Sequence, residues 1–310
     1  MDYQRADYSI LRDTLYGVGF HWTTATLPKE GEPLPYPEAV QRFDVDAFVR
    51  RVVEMGAGHV LFTTTHSKHQ FPGPNAEIDR ILPGRTCDRD LIMDLSEALN
   101  RAGILFMAYY NSGIHTGDPQ WREAVGADKP DRGEFYENWA RVIEWMGNHY
   151  GPRVAALWVD GGYELDQNKD TPWERLTGAA KAGHPGRLLC YNPGIEQHHL
   201  YTPLQDFWAG EVCRLNYMPR GQMTPSGLPW YAFVSWYGDS RRPLCGVWPY
   251  DSEARGLRWC PPPPQAAADF VRNFQEVGGA VTFNLLCYQD GGVFEPDYET
   301  MLGVKALLRG

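Results

Sequence analysis

Alternation of strand and helix patterns along the whole chain is the feature that most constrains its fold. Short apolar segments typical of buried strands are followed by longer segments in which apolar residues recur at helical spacing. The predicted strands cover residues 16–22, 59–65, 104–110, 154–160, 188–191 and 280–288. The predicted helices cover residues 44–55, 88–102, 134–150, 172–182, 265–277 and 298–309, with Asp88 as the expected cap of the second. This order predicts the α/β class with a parallel sheet, and about eight such units predict a (β/α)8 TIM barrel.

The later part of the chain is harder to assign. Residues 207–250 are rich in Trp, Tyr, Pro and Gly, and no periodicity places the sixth and seventh strands there. Four consecutive prolines at 261–264 directly precede a predicted helix, so we interpret them as the loop entering that helix. Because 310 residues suit one large α/β domain, we expect residues 1–310 to form a single barrel domain.

Charge and cysteine spacing exclude several functional classes. The formal net charge is −10 and no basic cluster stands out, which argues against nucleic acid or an anionic membrane as partner. The six cysteines are scattered, so they indicate neither a zinc site nor a disulfide framework. The N-terminus lacks the apolar core of a signal peptide, and no segment reaches transmembrane length. We expect a soluble, cytoplasmic protein, or a secreted or periplasmic one if a signal has been removed; the composition indicates no oligomeric state.

Asp160 is the first candidate catalytic residue. It ends the apolar segment 155–159 and is followed by two glycines, so its carboxylate is expected where a barrel carries its active site. Trp158 lies two residues earlier on the same strand face, and other predicted strand ends carry His and Tyr. Aromatic rings stack on sugar rings while polar neighbours bind hydroxyls, so this pattern favours a carbohydrate site. The alternative is that Asp160 only caps the following turn.

A metal site is a second alternative. His66 and His69 are three residues apart, and together with Asp160 they suggest a metal-dependent hydrolase or isomerase. Nothing in the sequence supplies the fourth ligand of a tetrahedral site. We therefore predict no bound metal and no other cofactor.

Five segments in the same order resemble one known family. They are an opening strand ending in His-Trp (17–22), a helix and histidine-bearing strand (43–48 and 55–66), a third unit (87–91, Gly103 and 109–110), the Trp-Val-Asp-Gly segment (158–161), and a last strand, loop and helix (278–284, 290–291 and 301–303). These segments are similar to those of the α-L-fucosidases of glycoside hydrolase family 29. The likeness spans nearly the whole chain.

The resemblance implies a retaining exo-glycosidase acting on a terminal α-L-fucosyl or structurally related residue. Asp160 would be the nucleophile that forms a covalent glycosyl-enzyme. The segment 206–211 fits the Asp-Phe-x-x-x-Glu pattern of the family, so Glu211 would be the general acid/base. Glu196 and Glu164 are the alternatives for that role.

By the same resemblance, several residues would bind an oligosaccharide or glycoside substrate. His21 and His66 would bond sugar hydroxyls, and Trp158 would line the pocket floor. Tyr109 or Tyr110 would reach the anomeric side of the sugar or the nucleophile. The predicted substrate-binding residues are His21, Trp22, His66, His69, Tyr109, Tyr110, Trp158, Trp208 and Trp236.

Three departures from the family pattern bear on the substrate. Residues 191–194 lack the Arg that family members often place after the fifth strand, and residues 22–43 lack a clear Glu-Trp pair. The chain also ends with the barrel, so we expect no C-terminal β-sandwich. A pocket that lacks such contacts accepts a different set of hydroxyls, so a sugar related to fucose is as compatible with the sequence as fucose itself. A non-catalytic carbohydrate-binding barrel is the remaining alternative.

Overall fold

The core of the protein is a curled parallel sheet. The computed structural model describes residues 3–66, 68–114, 118–166, 170–235 and 261–310. Its strands are β1 (Tyr16–Phe20), β2 (His59–Thr65), β3 (Leu105–Asn111), β4 (Ala156–Asp160), β5 (Leu188–Tyr191), β6 (Glu211–Val212), β7 (Tyr231–Ser235) and β8 (Ala280–Leu285). Their order in the sheet is β5-β4-β3-β2-β1-β8-β7-β6, and each adjacent pair is parallel. Consecutive strands are therefore neighbours in the sheet except β5 and β6, and this parallel order confirms the predicted α/β class.

Helices connect the strands. They are α1 (Ser9–Arg12), α2 (Tyr36–Arg42), α3 (Val45–Glu54), α4 (Ala76–Ile81), α5 (Leu91–Arg101), α6 (Pro119–Val125), α7 (Gly133–Tyr150), α8 (Gly162–Leu165), α9 (Trp173–Ala180), α10 (Pro264–Glu276) and α11 (Glu295–Arg309), with a 3-10 turn at Gly151–Arg153. The six predicted helices correspond to α3, α5, α7, α9, α10 and α11. None of the helices in the described part of the chain is long and apolar enough to cross a membrane.

The cap of α5 corrects one prediction. Asp90, rather than Asp88, accepts a hydrogen bond from the backbone N–H of Met93 at 2.9 Å. A capping carboxylate bonds an N–H two or three residues later, and α5 begins at Leu91, so Asp88 lies too early to cap it.

The sheet separates two hydrophobic layers. Side chains alternate between the faces of a strand, so Tyr109 joins the inner cluster while Tyr110 joins the larger cluster between sheet and helices. Trp158 and Phe233 also belong to the inner cluster. Neighbouring residues of one strand consequently lie in different chemical environments.

Between β5 and β6 the described residues contain no strand pairing, and Asp206 spans this gap instead. Its backbone N–H donates to the carbonyl of Leu189 at 2.8 Å. Its carboxylate accepts from the N–H of Leu189 at 2.8 Å and from Lys181 Nζ at 2.5 Å. Asp206 thus donates one hydrogen bond to Leu189 and accepts another from it. These bonds attach the segment before β6 to β5.

Candidate active site

Two carboxylates meet beside the carboxyl end of β4. Asp160 is the last residue of β4, and Glu211 is the first residue of the two-residue strand β6. Both side chains are partly buried. Asn192, directly after β5, contacts both side chains, so Glu211 lies on the same side of the sheet as Asp160.

Four neutral groups donate hydrogen bonds to Asp160. Oδ2 accepts from the Tyr109 hydroxyl at 2.5 Å and from Asn111 Nδ2 at 2.7 Å. Oδ1 accepts from Asn192 Nδ2 and from the backbone N–H of Gly161, both at 2.9 Å. All four donors are neutral groups, so Asp160 is held by hydrogen bonds without a cation among them.

The two asparagines have the same local geometry. Asn111 Oδ1 accepts from the N–H of Gly113 at 2.8 Å, and Asn192 Oδ1 accepts from the N–H of Gly194 at 3.0 Å. Both glycines have positive φ (75° and 103°), a backbone region that residues with a Cβ rarely adopt. These turns occupy each amide oxygen, so each Nδ2 faces Asp160.

The amide nitrogen of Asn192 also contacts the second carboxylate. Nδ2 donates to Glu211 Oε2 at 2.7 Å and to Asp160 Oδ1 at 2.9 Å. An amide nitrogen carries two hydrogens, so one can serve each oxygen. The distance between Asp160 Oδ1 and Glu211 Oε2 therefore cannot exceed the sum of these two hydrogen-bond distances.

The environment of Glu211 favours its protonated form. Burial is the main cause that raises the pKa of Glu211 to about 7, and the negative charge of Asp160 raises it further. The hydrogen bond from Asn192 acts in the opposite direction. Near neutral pH the carboxyl group of Glu211 is therefore suited to donate a proton.

Histidines and aromatic rings form a wall beside Asp160. The ring of His21 lies 4.8 Å from Tyr109 and 5.5 Å from His66 between centroids, and it stacks on Phe233 at 5.6 Å. Burial lowers the pKa of His21 to about 3 and also lowers the pKa of His66, although the charge of Asp160 opposes the shift of both. Neutral imidazoles carry one donor and one acceptor, which suits contacts with hydroxyl groups.

Trp158 supports this wall from within the sheet. Its ring stacks on Tyr109 with centroids 4.9 Å apart, and its Nε1 donates to the carbonyl of Ala209 at 2.8 Å. Because Ala209 lies two residues before Glu211, this bond links the strand of Asp160 to the segment that carries Glu211. The structure thus brings together six of the predicted site residues: Asp160, Glu211, Tyr109, Trp158, His21 and His66.

His69 and Tyr110 lie in a different environment. The buried ring of His69 stacks on Trp121 with centroids 3.7 Å apart, and its Nε2 contacts the Tyr110 hydroxyl at 3.3 Å. Trp121 lies on α6 and Tyr110 faces the helix layer. The structure places this pair in the packing between sheet and helices.

The predicted tryptophans outside the sheet have structural partners. Trp22 Nε1 donates to the carbonyl of Tyr288 at 3.2 Å, and Trp208 Nε1 donates to the carbonyl of Gln197 at 2.7 Å. Both side chains are only 1% exposed, so they offer little surface to a ligand. Trp236, also predicted to bind substrate, lies outside the described residues.

The two alternatives to Glu211, Glu196 and Glu164, form hydrogen bonds with residues other than Asp160 and Asn192. Glu196 forms an ion pair with Arg214, with Oε1 2.7 Å from Nε, and its backbone N–H donates to the carbonyl of Glu211 at 2.8 Å. Glu164 is 1% exposed and accepts a hydrogen bond from the Ser112 hydroxyl. Of the three candidates, Glu211 is the one that shares a donor with Asp160.

The described residues contain no group of three or more His, Cys, Asp or Glu side chains arranged to hold a metal ion. His69 packs on Trp121, whereas the ring of His66 lies 5.5 Å from that of His21. The two histidines of the alternative metal site therefore have different neighbours.

Sequence reasoning did not single out the asparagines as functional residues. Each begins an Asn-x-Gly segment directly at or after the end of a strand, Asn111 at β3 and Asn192 after β5. This spacing is the signature of an Asx turn, which orients the amide. The signal was present, but the common target of both amides depends on strand adjacency.

Comparisons with known proteins identify the family of the chain. A sequence-family model described as Alpha-L-fucosidase matches residues 16–192, more than half of the chain. No curated protein sequence matches the chain significantly.

Several solved structures share the fold. Alpha-L-fucosidase AlfC from Lactobacillus casei, in complex with alpha-L-fucose product, has 16% identity and a TM-score of 0.68, with 98% of each chain covered. Alpha-L-fucosidase isoenzyme 1 from Paenibacillus thiaminolyticus has 18% identity and a TM-score of 0.70, covering 97% of this chain and 75% of that one. A trapped covalent intermediate of a GH29 alpha-L-fucosidase from Bacteroides thetaiotaomicron has 16% identity and a TM-score of 0.69, covering 100% and 76%. At these identities the likeness establishes the fold.

Proposed function

Because this chain belongs to the alpha-L-fucosidase family of glycoside hydrolases, we propose that it releases a terminal α-L-fucosyl or closely related residue from a glycoside with retention of configuration. Asp160 is the nucleophile and Glu211 is the general acid/base. The substrate is an oligosaccharide or other glycoside.

The observation that carries this proposal is the donor shared by the two carboxylates. Asn192 Nδ2 lies 2.9 Å from Asp160 Oδ1 and 2.7 Å from Glu211 Oε2, so these oxygens are closer than the about 6.5–9.5 Å typical of inverting glycosidases. Retaining enzymes separate their carboxyl groups by about 5–5.5 Å, which leaves no room for a water between nucleophile and sugar.

The reaction has two steps. Asp160 attacks the anomeric carbon while the bond to the leaving oxygen breaks, and that oxygen takes the proton of Glu211. Glu211 then removes a proton from water as the water oxygen attacks the same carbon and frees Asp160. The pKa of about 7 for Glu211 suits both roles near neutral pH.

The choice of sugar rests on the relatives and on the polar wall. AlfC is solved with alpha-L-fucose product, and the Bacteroides thetaiotaomicron enzyme with a 2-fluoro-fucosyl fluoride-derived intermediate. Neutral His21 and His66 beside Tyr109 supply hydroxyl-binding groups at the same edge as Asp160.

We propose further that the sheet closes into a barrel between β5 and β6. Two contacts support closure: Asp206 bonds Leu189 of β5 through both main chain and side chain, and the N–H of Glu196 donates to the carbonyl of Glu211. Closure keeps Glu211 facing Asp160. A crystal structure in which β6 stands apart from β5 would contradict it.

The test of function is turnover of aryl glycosides. Wild type is assayed with 4-nitrophenyl α-L-fucoside, β-D-galactoside and α-L-arabinoside, beside Asp160→Ala and a distant exposed control, Asp13→Ala. We expect turnover with Asp13→Ala unchanged and Asp160→Ala reduced at least about 10⁴-fold.

Chemical rescue and labelling identify the nucleophile. Azide should restore turnover of Asp160→Gly and give the glycosyl azide of inverted configuration, and a 2-fluoro glycoside should label the wild-type peptide containing Asp160. Full activity of Asp160→Ala, or activity abolished by a chelator, would refute the proposed mechanism.

A further inference from the structure

Asn111 and Asn192 form a natural matched pair around Asp160. Each has its amide oxygen fixed by the N–H of a glycine two residues later, and each donates from Nδ2 to one oxygen of Asp160. Both side chains are 1% exposed. They differ in one respect: Asn192 also donates to Glu211, at 2.7 Å, and within the described residues Asn111 makes no such bond.

We propose that Asn192 is a positioning residue that stabilises whichever of the two carboxylates is ionised, so that the negative charge passes from Asp160 to Glu211 and back under one amide nitrogen. This role rests on the proposed retaining function. It assigns Asn192 a part in both chemical steps rather than in holding the nucleophile alone.

The balance of charge explains why a shared donor is useful. When Asp160 forms the ester with the anomeric carbon, it loses its negative charge. The electron pair of the broken glycosidic bond goes to the leaving oxygen, which takes the proton of Glu211 and leaves Glu211 anionic. The pair carries one negative charge before and after this step, and the attack of water reverses the transfer.

A neutral amide suits this exchange. A cation between the carboxylates would favour ionisation of both and remove the proton that Glu211 must donate. The amide instead offers one hydrogen to each oxygen, and hydrogen bonds to charged acceptors are stronger than those to neutral ones. The hydrogen bond from Asn192 is therefore stronger to Asp160 when Asp160 is ionised, and stronger to Glu211 when Glu211 is ionised.

The experiment compares Asn192→Ala with Asn111→Ala. Both variants remove one donor from Asp160, but only Asn192→Ala removes a donor from Glu211. The kcat/KM is measured for aryl α-L-fucosides with good and poor leaving groups. A poor leaving group needs more proton transfer from Glu211, so we expect Asn192→Ala to lose about tenfold more activity on poor than on good leaving groups, a factor set by one charge-assisted hydrogen bond. We expect Asn111→Ala to lose similar activity on both.

The pH profile provides the second readout. Loss of a donor to the ionised form raises the pKa of Glu211, so the alkaline limb of kcat/KM should move to higher pH in Asn192→Ala and stay in place in Asn111→Ala. A residue with a merely structural role would lower activity without moving this limb.

The outcomes separate the two proposals. Equal leaving-group dependence and equal alkaline limbs in the two variants, with wild type active and labelled at Asp160, would overturn the role of Asn192 alone. A wild type that neither turns over glycosides nor becomes labelled would overturn the proposed function and this role with it. Thermal unfolding checks that each variant folds. Asn192→Ser and Asn111→Ser, which keep a side-chain acceptor for the turn, repeat the comparison if the alanine variants unfold.

Discussion

The two ends of the sheet use buried polar residues in opposite ways. At the amino end, the Thr14 hydroxyl donates to the carbonyl of Leu11, so His59 Nδ1 donates to Thr14, 2.7 Å away. His59 Nε2 then accepts from the Thr282 hydroxyl at 2.6 Å, and Thr282 accepts from Tyr231 at 2.5 Å. Every group in this hydrogen-bond network is neutral, and each is hydrogen-bonded to the next.

At the carboxyl end, polar groups converge on one carboxyl group instead of pairing with one another. Asp160 receives four donors, and the pKa of Glu211 is raised to about 7 by burial and by Asp160. One strand can supply both ends: β8 carries Thr282 and, two residues later on the same face, Asn284, whose Oδ1 lies 3.2 Å from His21 Nδ1. Polar residues on the inner face therefore stabilise the fold near the amino ends of the strands and belong to the candidate active site near the carboxyl ends.

After Asp160→Ala, the largest effect at the carboxyl end is expected from Glu211→Gln. Loss of the acid should lower kcat/KM for substrates with poor leaving groups by about 10²–10⁴-fold. In wild type, activity should fall as the pH rises through about 7, because Glu211 must be protonated in the first step. The variant should lack this alkaline limb. A variant that keeps both the limb and the activity would assign the acid to another residue.

His59→Gln tests the amino end through the pH dependence of stability. Burial lowers the pKa of His59 to about 3, whereas an unfolded histidine titrates near 6.5. The folded state therefore binds fewer protons between these values, and the free energy of unfolding should fall as the pH drops below 6.5. The contribution of His59 is about 1.4 kcal/mol per pH unit, so about 2–3 kcal/mol over two units. Urea unfolding at pH 7, 6 and 5 should give a shallower slope for the variant; parallel slopes would contradict this prediction.

Tyr109→Phe compares the two faces of β3. The variant loses the hydroxyl that donates to Asp160 but keeps the ring that stacks on Trp158. A hydrogen bond to a charged group contributes about 1.5–3 kcal/mol, so we expect kcat/KM to fall about 10–100-fold. Tyr110→Phe is the matched control, since its hydroxyl faces His69 in the helix layer. Its activity should stay within about twofold, and equal losses in the two variants would contradict the assignment of the faces.

Tyr231→Phe has the smallest expected effect. It removes the last donor of the neutral hydrogen-bond network at the amino end, and one such hydrogen bond contributes about 0.5–1.5 kcal/mol to stability. We expect this loss in urea unfolding with kcat/KM unchanged. A fall in activity without a loss of stability would show that the two ends are not independent.

The predicted helices and strands were recovered where the sequence carries a long period. The apolar residues of α3, α5 and α7 repeat at helical spacing over ten or more residues, so the pattern is clear. The strand β6 has two residues, Glu211 and Val212, which is too short for any period to show. The predicted cap of α5, Asp88, lies two residues before the observed cap, Asp90. The two residues are equally good caps by type, and only the backbone conformation distinguishes them.

The candidate site was predictable in its parts but not in its connections. Asp160 was marked by an apolar segment and two glycines, and Glu211 by a family pattern. His69, Tyr110, Trp22 and Trp208 have suitable residue types, yet the structure gives them packing partners instead of contacts with the two carboxylates. Residue type and strand position do not specify which side of the sheet a loop residue faces.

The sequence by itself determined the α/β alternation, the position of Asp160 at a strand end and the two Asn-x-Gly turns, because each depends on residues close together in the chain. Only the tertiary structure decided that Asn111 and Asn192, 81 residues apart by their numbers, aim their amides at one carboxylate, and that Asn192 also reaches Glu211. The physical reason is that the parallel arrangement sets β3, β4 and β5 side by side and brings their carboxyl ends to one edge. The pKa of Glu211 follows from the same adjacency, since burial and the charge of Asp160 act on it only when the strands are assembled.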